Sequence, residues 1–289
     1  MSLNLVQAWK RSRETLEAAG ISGPVIDARL LVEAAAGATR ADIVTDPYRP
    51  LTAEQEATLS DYLDRRSRRE PVSHILGRKG FWKIMLQVTP DVLTPRPDTE
   101  TVVEYVLRDF PEAAPWTVLD LGVGSGAILL SILAERPAAK GLGVDVSEEA
   151  LAVARENAAN LGLAGRTALL RGDWTFGLDD ESFDLVVSNP PYIASDVIAQ
   201  LEPEVRDHEP RLALEGGADG LDHYRTLAPE ILRVLKPGGR FAVEIGYDQK
   251  APVEGLFREA GAEGVVTVRD LGERDRVVAG VKKALETKA

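Results

Sequence analysis

Cysteine is absent from the 289 residues, which excludes disulfides, thiolate metal sites and a cysteine nucleophile. Histidine occurs only at positions 74, 208 and 223. That spacing does not suit a metal, so each reads as a structural or surface residue and no metal is expected. No apolar run approaches the roughly 18 residues of a membrane span. Residues 1–20 carry charges throughout, where a signal peptide would have an apolar stretch. A cytoplasmic protein without a membrane partner is the expectation. Apolar residues at 44% and charged residues at 28% are ordinary for a globular chain. The length holds one large α/β domain plus a smaller one.

Basic residues are the scarcer charge, 34 Lys and Arg against 46 Asp and Glu, for a net charge of −12. The deficit is uneven. Residues 1–94 hold 13 basic against 12 acidic residues, which leaves 21 against 34 for the remainder. An acidic C-terminal portion repels a phosphate backbone and disfavours a duplex nucleic-acid substrate. A protein partner or a small molecule fits better.

Residues 1–70 read as helices. Leu5, Ala8, Trp9, Leu16 and Ala19 share a helical face that ends at Gly20. A second helix spans 24–36 and is closed by Gly37; Thr52 with Gln55 forms a capping box for a third that reaches Arg69. The third ends in Arg65, Arg66, Arg68 and Arg69, a basic tip at the negative end of its dipole. A solvated end is the plainer reading, and contact with an acidic or nucleic-acid partner the sharper one. We take 1–75 as a small helical recognition domain and 76–94 as a β-hairpin linker. The remainder, 95–289, is the larger domain. Between them, Val92 to Glu100 packs prolines and polar groups before a helix, which reads equally as a linker or as the wall of a site.

From Thr117 strands alternate with helices, the mark of βαβ units. Thr117 to Leu121 is a strand, Gly122-Val123-Gly124-Ser125-Gly126 a turn, and 127–136 a helix. Glycines there let backbone N–H groups approach an anion near a helix N-terminus. The spacing also satisfies the dinucleotide fingerprint, and glycines in a plain tight turn are the bland alternative. The next strand ends in Asp145, whose carboxylate can accept both hydroxyls of a ribose. A third ends in Gly172-Asp173-Trp174, a carboxylate for an adenine amino group beside a ring to flank the base. Together these favour a nucleoside ligand. Phe183 to Val187 is a fourth strand, and it runs into Ser188-Asn189-Pro190-Pro191-Tyr192. The prolines end the ladder and leave free carbonyls beside an Asn amide and a Tyr ring, where open α/β sheets place ligands. A rigid turn is the alternative, but its place downstream of the Gly loop favours a site. A fifth strand over 240–245 follows a helix stopped by Pro237-Gly238-Gly239, and two more at 265–269 and 277–281 are joined by a short loop and so antiparallel. Seven strands with this hairpin do not fit the six-stranded dinucleotide arrangement, which disfavours a nicotinamide-dependent oxidoreductase.

Asp120 to Gly126, Asp145, Gly172 to Trp174 and Asn189 to Tyr192 resemble the class I S-adenosylmethionine-dependent methyltransferases that modify planar nitrogens. The motifs at 92–100, 208–214 and 244–246, with the helical N-terminus, narrow the resemblance to the HemK/PrmC family over nearly the whole chain. Thr94, Val123 and His74 depart from that family's commoner residues without touching the expected chemistry. The resemblance implies a seven-stranded, mostly parallel sheet whose last strand is antiparallel, with a small N-terminal helical domain. It implies methylation of the glutamine side-chain nitrogen (N5) in the Gly-Gly-Gln motif of class I peptide chain release factors. S-adenosylmethionine would be the donor and S-adenosylhomocysteine the product. By the same resemblance Gly122 to Gly126 hold the methionine part of the cofactor, Asp120 bonds loop amides or the cofactor ammonium, Asp145 takes the ribose, and Asp173 and Trp174 take the adenine. The Asn189 oxygen and the Pro190 carbonyl would accept the two N–H hydrogens of the substrate amide. Pro191 and Tyr192 would complete that pocket, with Tyr192 stacked on the amide. The rivals are an adenine N6 methyltransferase of DNA or RNA, disfavoured by the acidic domain, and a catalytically silent binding module on the same fold.

Overall fold

In a computed structural model the described residues are 2–284, and they fall into two compact units. The first comprises the N-terminal residues through Arg78 together with Glu202–His208. The second comprises Lys79–Leu201 and the chain from Glu209 onward, so the hairpin that follows Arg78 belongs to it.

The first unit is helical: α1 (Leu5–Ala18), α2 (Pro24–Ala36), α3 (Arg40–Thr45), α4 (Ala53–Ser67) and α5 (Val72–Leu76). Each of α1, α3 and α4 begins in a reciprocal capping box, Asn4 with Gln7, Thr39 with Asp42 and Thr52 with Gln55. These boxes satisfy amides that the first helical turn leaves open. Leu5, Leu16, Leu31, Val32, Leu59 and Ile75 meet in its core. Helices α3 and α5 have six and five residues, too few turns to set up a periodic apolar face.

The basic tip of α4 is only partly solvated: Arg68 is exposed, whereas Arg65, Arg66 and Arg69 are held in ion pairs. Arg66 is 6% exposed, and its Nε donates to Asp27 at 2.8 Å while its Nη1 donates to Glu204 at 3.0 Å. Arg69 adds a bond to the same Glu204 oxygen at 3.3 Å and another to the Ala19 carbonyl. Arg65 is paired with Glu70. Glu204 comes from Glu202–His208, a segment that holds the short α9 (Pro203–Arg206) and lies more than a hundred residues further along the chain. Burial would raise the Glu204 carboxyl, but its own amide and the two guanidiniums outweigh burial and hold it below the usual carboxylate range. The cluster is a partly buried ion-pair network, which sequence spacing within α4 does not disclose.

From Lys79 the second unit opens within a two-stranded hairpin, β1 (Arg78–Phe81) and β2 (Ile84–Gln87), whose first residue ends the N-terminal stretch of the first unit. The run from Phe81 to Val88 is therefore interrupted. Trp82 takes a left-handed φ of 52°, and its indole N–H donates to Glu135 at 3.2 Å. The remaining elements are α6 (Glu100–Asp109), β3 (Thr117–Leu121), α7 (Ala127–Glu135), β4 (Lys140–Asp145), α8 (Glu148–Asn160), β5 (Thr167–Arg171), β6 (Phe183–Ser188), α10 (Asp222–Val234), β7 (Leu235–Glu244), α11 (Lys250–Glu259), β8 (Ala262–Arg269) and β9 (Asp275–Lys282). The seven strands from β3 onward form one sheet in the order β5-β4-β3-β6-β7-β9-β8, with β9 antiparallel to both of its neighbours and the other pairs parallel.

Helices α6, α7 and α8 cover one face of this sheet and α10 and α11 the other, each with its own apolar cluster. Helix α7 presses close on the sheet. A Cβ at Gly141 of β4 would run into the Leu129 side chain of α7, so the strand carries glycine there. Strand β7 begins at Leu235, earlier than Pro237-Gly238-Gly239 suggests. Leu235 pairs with Phe183, the Pro-Gly-Gly segment bulges, and the ladder resumes where Arg240 meets Leu185. Helix α10 consequently ends before the proline reaches it. Among the described residues no helix is long and apolar enough to cross a membrane.

The chain runs from β3 outward through β4 to β5, then returns to the opposite side of β3 as β6. This reversal leaves a crevice beyond the carboxyl ends of β3 and β6, the usual ligand position in an open α/β sheet.

Candidate active site

A cleft of about 250 Å³ occupies that crevice, wholly within the second unit. Its floor is the turn after β3. Gly122, Gly124 and Gly126 have φ of 73°, 52° and 85°, left-handed values that side chains disfavour. The amides of Gly122 and Val123 donate to the Val144 carbonyl at 2.9 and 3.0 Å, which ties the loop to the end of β4. Gly122, Val123, Gly124 and Ser125 line the cleft. Gly126 does not; it is the N-cap of α7, where a Cβ would meet Leu130.

Two carboxylates frame this loop. The Gly124 amide donates to Asp145 Oδ2 at 2.9 Å and the Ser147 amide to Oδ1 at 3.0 Å, so Asp145 shapes the loop and also lines the cleft, with each oxygen keeping a spare lone pair. Asp120 is 1% exposed. Its Oδ2 accepts from the Leu129 amide at 3.1 Å, whereas its Oδ1 has no partner among the described residues. Burial pushes the Asp120 carboxyl up to about 8; the Leu129 amide draws it down and the nearby Asp145 charge pushes it further up. A buried carboxylate oxygen without a donor, at the wall of a cleft, suits a cationic group.

At the far end Asp173 and Trp174 line the cleft. Trp174 has a left-handed φ of 51°, and its ring meets His223 edge-on at 5.2 Å. His223 also lines the cleft, with Nε2 3.2 Å from the Glu215 carbonyl. His223, read from the sequence as a structural or surface residue, thus stands at the wall of the cleft.

The turn after β6 supplies the polar wall. Asn189 and Pro191 line the cleft, while Pro190 is buried and does not. The Asn189 side chain donates from Nδ2 to Thr99 Oγ1 at 3.2 Å. Tyr192 stands apart from the lining: its ring packs against the α10–α11 cluster, and its hydroxyl donates to Glu244 Oε1 at 3.1 Å. The ring expected to stack on a substrate amide is thus anchored through its hydroxyl by Glu244 at the end of β7. Burial, with the Glu244 charge adding to it, raises that hydroxyl well above the ordinary tyrosine range.

The stretch 92–100, which spacing left undecided between linker and wall, is wall. Val92, Leu93, Pro95, Arg96 and Thr99 line the cleft. Arg96 donates to Glu209 at 2.5 Å across 113 residues of sequence. Burial raises the Glu209 carboxyl, and Arg96 and Thr94 draw it partly back. Pro210, Leu212 and Ala213 follow Glu209 onto the rim. No group of His, Asp or Glu among the described residues is arranged to hold a metal ion.

A Gly loop after β3, acidic side chains at successive strand ends and antiparallel β9 define a class I S-adenosylmethionine-dependent methyltransferase. Residues 114–266 match the model of a methyltransferase domain, and residues 7–77 match that of the PrmC N-terminal domain. In fold, the crystal structure of a methyltransferase from Pyrococcus furiosus aligns with a TM-score of 0.53 at 18% identity, covering 76% of this chain and 98% of that one. A release factor glutamine methyltransferase of Caulobacter vibrioides is 70% identical over 289 residues, the whole of both chains. Another, from Agrobacterium fabrum, is 42% identical over 282 residues and 96% of each chain. The chain belongs to the release factor glutamine methyltransferase family.

The residues present fit S-adenosylmethionine. Its ammonium matches the unpartnered Asp120 oxygen, and the side-chain-free loop leaves room for the methionine part beside it. Asp145 offers spare lone pairs to the ribose hydroxyls, and Asp173 with Trp174 bounds the end left for the base.

Proposed function

We propose that the protein methylates the glutamine side-chain nitrogen (N5) in the Gly-Gly-Gln motif of class I peptide chain release factors, using S-adenosylmethionine. The observation that carries this reading is Asn189: its Nδ2 is committed to Thr99, so its Oδ1 is the end left for the cleft. A glutamine amide offers two N–H donors on the nitrogen that must react. Asn189 Oδ1 takes one and the Pro190 carbonyl the other, which fixes the amide plane so that one face of the nitrogen is turned toward the methyl donor. Two acceptors also favour the positive charge that develops on that nitrogen. S-adenosylmethionine supplies an electrophilic methyl group with a neutral leaving group, so the enzyme needs no covalent intermediate. The protein's part is to orient the amide and keep water away, and the product's surplus proton passes to solvent. Asp120, Gly122 to Ser125, Asp145, Asp173 and Trp174 hold the donor; Asn189, Pro190 and Pro191 hold the amide, with Tyr192 behind them.

The helical N-terminal unit grips a second region of the release factor, since a tripeptide is too small to confer specificity alone. Function in the cytoplasm, where translation terminates, and the lack of a stable nucleic-acid partner belong to the same reading; the latter is supported by the acidic balance of residues 95–289.

The test is transfer of labelled methyl from S-adenosylmethionine to a purified class I release factor, beside a variant whose Gly-Gly-Gln glutamine is alanine. Label on the first and none on the second is expected. Label on DNA or RNA, with none on either protein, would move the substrate to adenine.

A further inference from the structure

Asparagine has an ambiguous side chain. One end of its amide donates and the other accepts, and the two ends are nearly equal in size. An Asn189 turned the wrong way would aim an N–H at the substrate's own N–H groups and repel the atom it should hold. Something must therefore choose the orientation, and the choice must survive substrate binding.

We infer that Thr99 is the positioning residue that makes this choice, with Glu244 behind it setting the polarity of the chain of hydrogen bonds. Thr99 is the last residue of a single 3₁₀ turn (Pro97–Thr99) ahead of α6, and it is buried. Its Oγ1 accepts from Asn189 Nδ2 at 3.2 Å. A threonine hydroxyl could equally donate to an inverted Asn189, so Thr99 alone does not settle the matter. It does so once its own proton is committed elsewhere. The neighbouring group that can take the proton is the Glu244 carboxylate, whose Oε1 already receives the Tyr192 hydroxyl. While Glu244 is ionised, every donor in the series points inward: Asn189 to Thr99, Thr99 to Glu244. The acceptor end of Asn189 is then the only one left to face the cleft.

Glu244 is 1% exposed and held on several sides. The Tyr224 hydroxyl donates to its backbone carbonyl at 2.7 Å. Arg276 attracts its charge and Asp98 opposes it, and these two are themselves paired at 3.3 Å while Arg276 also bonds Asp270. Burial pushes the carboxyl up to about 7, with Thr99, Arg276 and Tyr192 drawing it down and Asp98 raising it. None of these groups lies on the Gly loop or on the strand end that carries Asp145, so the device serves amide orientation and not donor binding.

The inference rests on the release-factor reading and is tested so that the two fail separately. Thr99→Val keeps the shape and removes the hydroxyl; Thr99→Ser keeps the hydroxyl. With wild type active on the release factor, Thr99→Val is expected to lower kcat by about tenfold to a hundredfold, the scale of a misplaced reacting group. The KM for S-adenosylmethionine and the melting temperature should stay near wild type, and Thr99→Ser should recover most of the loss. In an Asn189→Ala background Thr99→Val should cost nothing further, because the orientation it guards is gone. Full activity in Thr99→Val, no recovery in Thr99→Ser, or an equal loss in both backgrounds would overturn the inference. A wild-type protein inactive on release factor would overturn the underlying reading instead. Should Thr99→Val not fold, Glu244→Gln asks the same question, since a glutamine can donate to Thr99. A kcat loss with donor KM preserved is expected, and unchanged kcat would overturn the proposed polarity.

Discussion

Buried charge appears in both units, and the two treat it differently. In the first, Arg66 lies between Asp27 and Glu204, and the hydrogen bonds from Arg66 and Arg69 hold the Glu204 carboxyl low. In the second, Asp120 and Glu244 are buried carboxylates without such close cationic pairing, each with one oxygen left unpartnered and each pushed upward by burial. Glu204 also leaves one oxygen without a partner, but two guanidiniums compensate its charge. A buried carboxylate with no cation beside it is costly until something arrives to meet it. The first pattern is that of a scaffold and the second that of a site.

Substitutions on either side can break this contrast or sharpen it. The largest effect should come from Arg66→Ala, which strands Asp27 and leaves Glu204 with Arg69 alone; a loss of about 3–5 kcal/mol is expected from a broken buried pair. Thermal or urea unfolding measures it, and a loss under 1 kcal/mol would erase the contrast from the first side. Next is Asn189→Ala. Removing one placed acceptor should lower kcat by about a hundredfold to a thousandfold. Donor affinity, read by calorimetry, should hardly change, and parallel loss of both would remove Asn189 from its assigned role.

Asp120→Asn should weaken S-adenosylmethionine binding by about tenfold to a hundredfold, the value of a hydrogen bond to a charged group. The same variant sharpens the comparison through pH. The Asp120 carboxyl rises from 3.8 to about 8 on folding, and Glu244 from 4.5 to about 7. Between those limits the folded chain holds protons that the unfolded chain has released, so stability without cofactor falls as pH rises through that window. Asp120→Asn should flatten the fall, and an unaltered slope of melting temperature against pH would deny the Asp120 shift. The smallest effect is Thr52→Ala. It removes an exposed cap from the first unit at a cost of about 1 kcal/mol and leaves the cleft alone.

Local chemistry made much of this legible. The Gly loop, Asp145, Asp173-Trp174 and Asn189 each sit at the end of a strand whose apolar run is plain, so their convergence follows from the topology of a parallel sheet. What spacing could not give was contact across distance. Thr99 lies 90 residues from Asn189, Arg96 is 113 from Glu209 and Arg66 is 138 from Glu204. His223 gave no signal because a lone histidine near the start of a helix looks the same whether or not an indole stands beside it. The anchoring of Tyr192 was not legible for the same reason: its motif fixes where its backbone lies, while a glutamate 52 residues away holds its hydroxyl.

Glu202–His208 has a consequence for dissection of the molecule. The first unit is not a contiguous stretch of sequence, since it is completed by a segment that returns long after the chain has entered the second. A fragment cut at Arg78 would lack Glu204 and leave Arg66 and Arg69 without their shared counter-ion. Grafting the N-terminal helices onto another enzyme would meet the same obstacle unless Pro203–Arg206 travelled with them as a separate peptide. The two halves of this chain are interlaced in sequence and cannot be exchanged by a single splice.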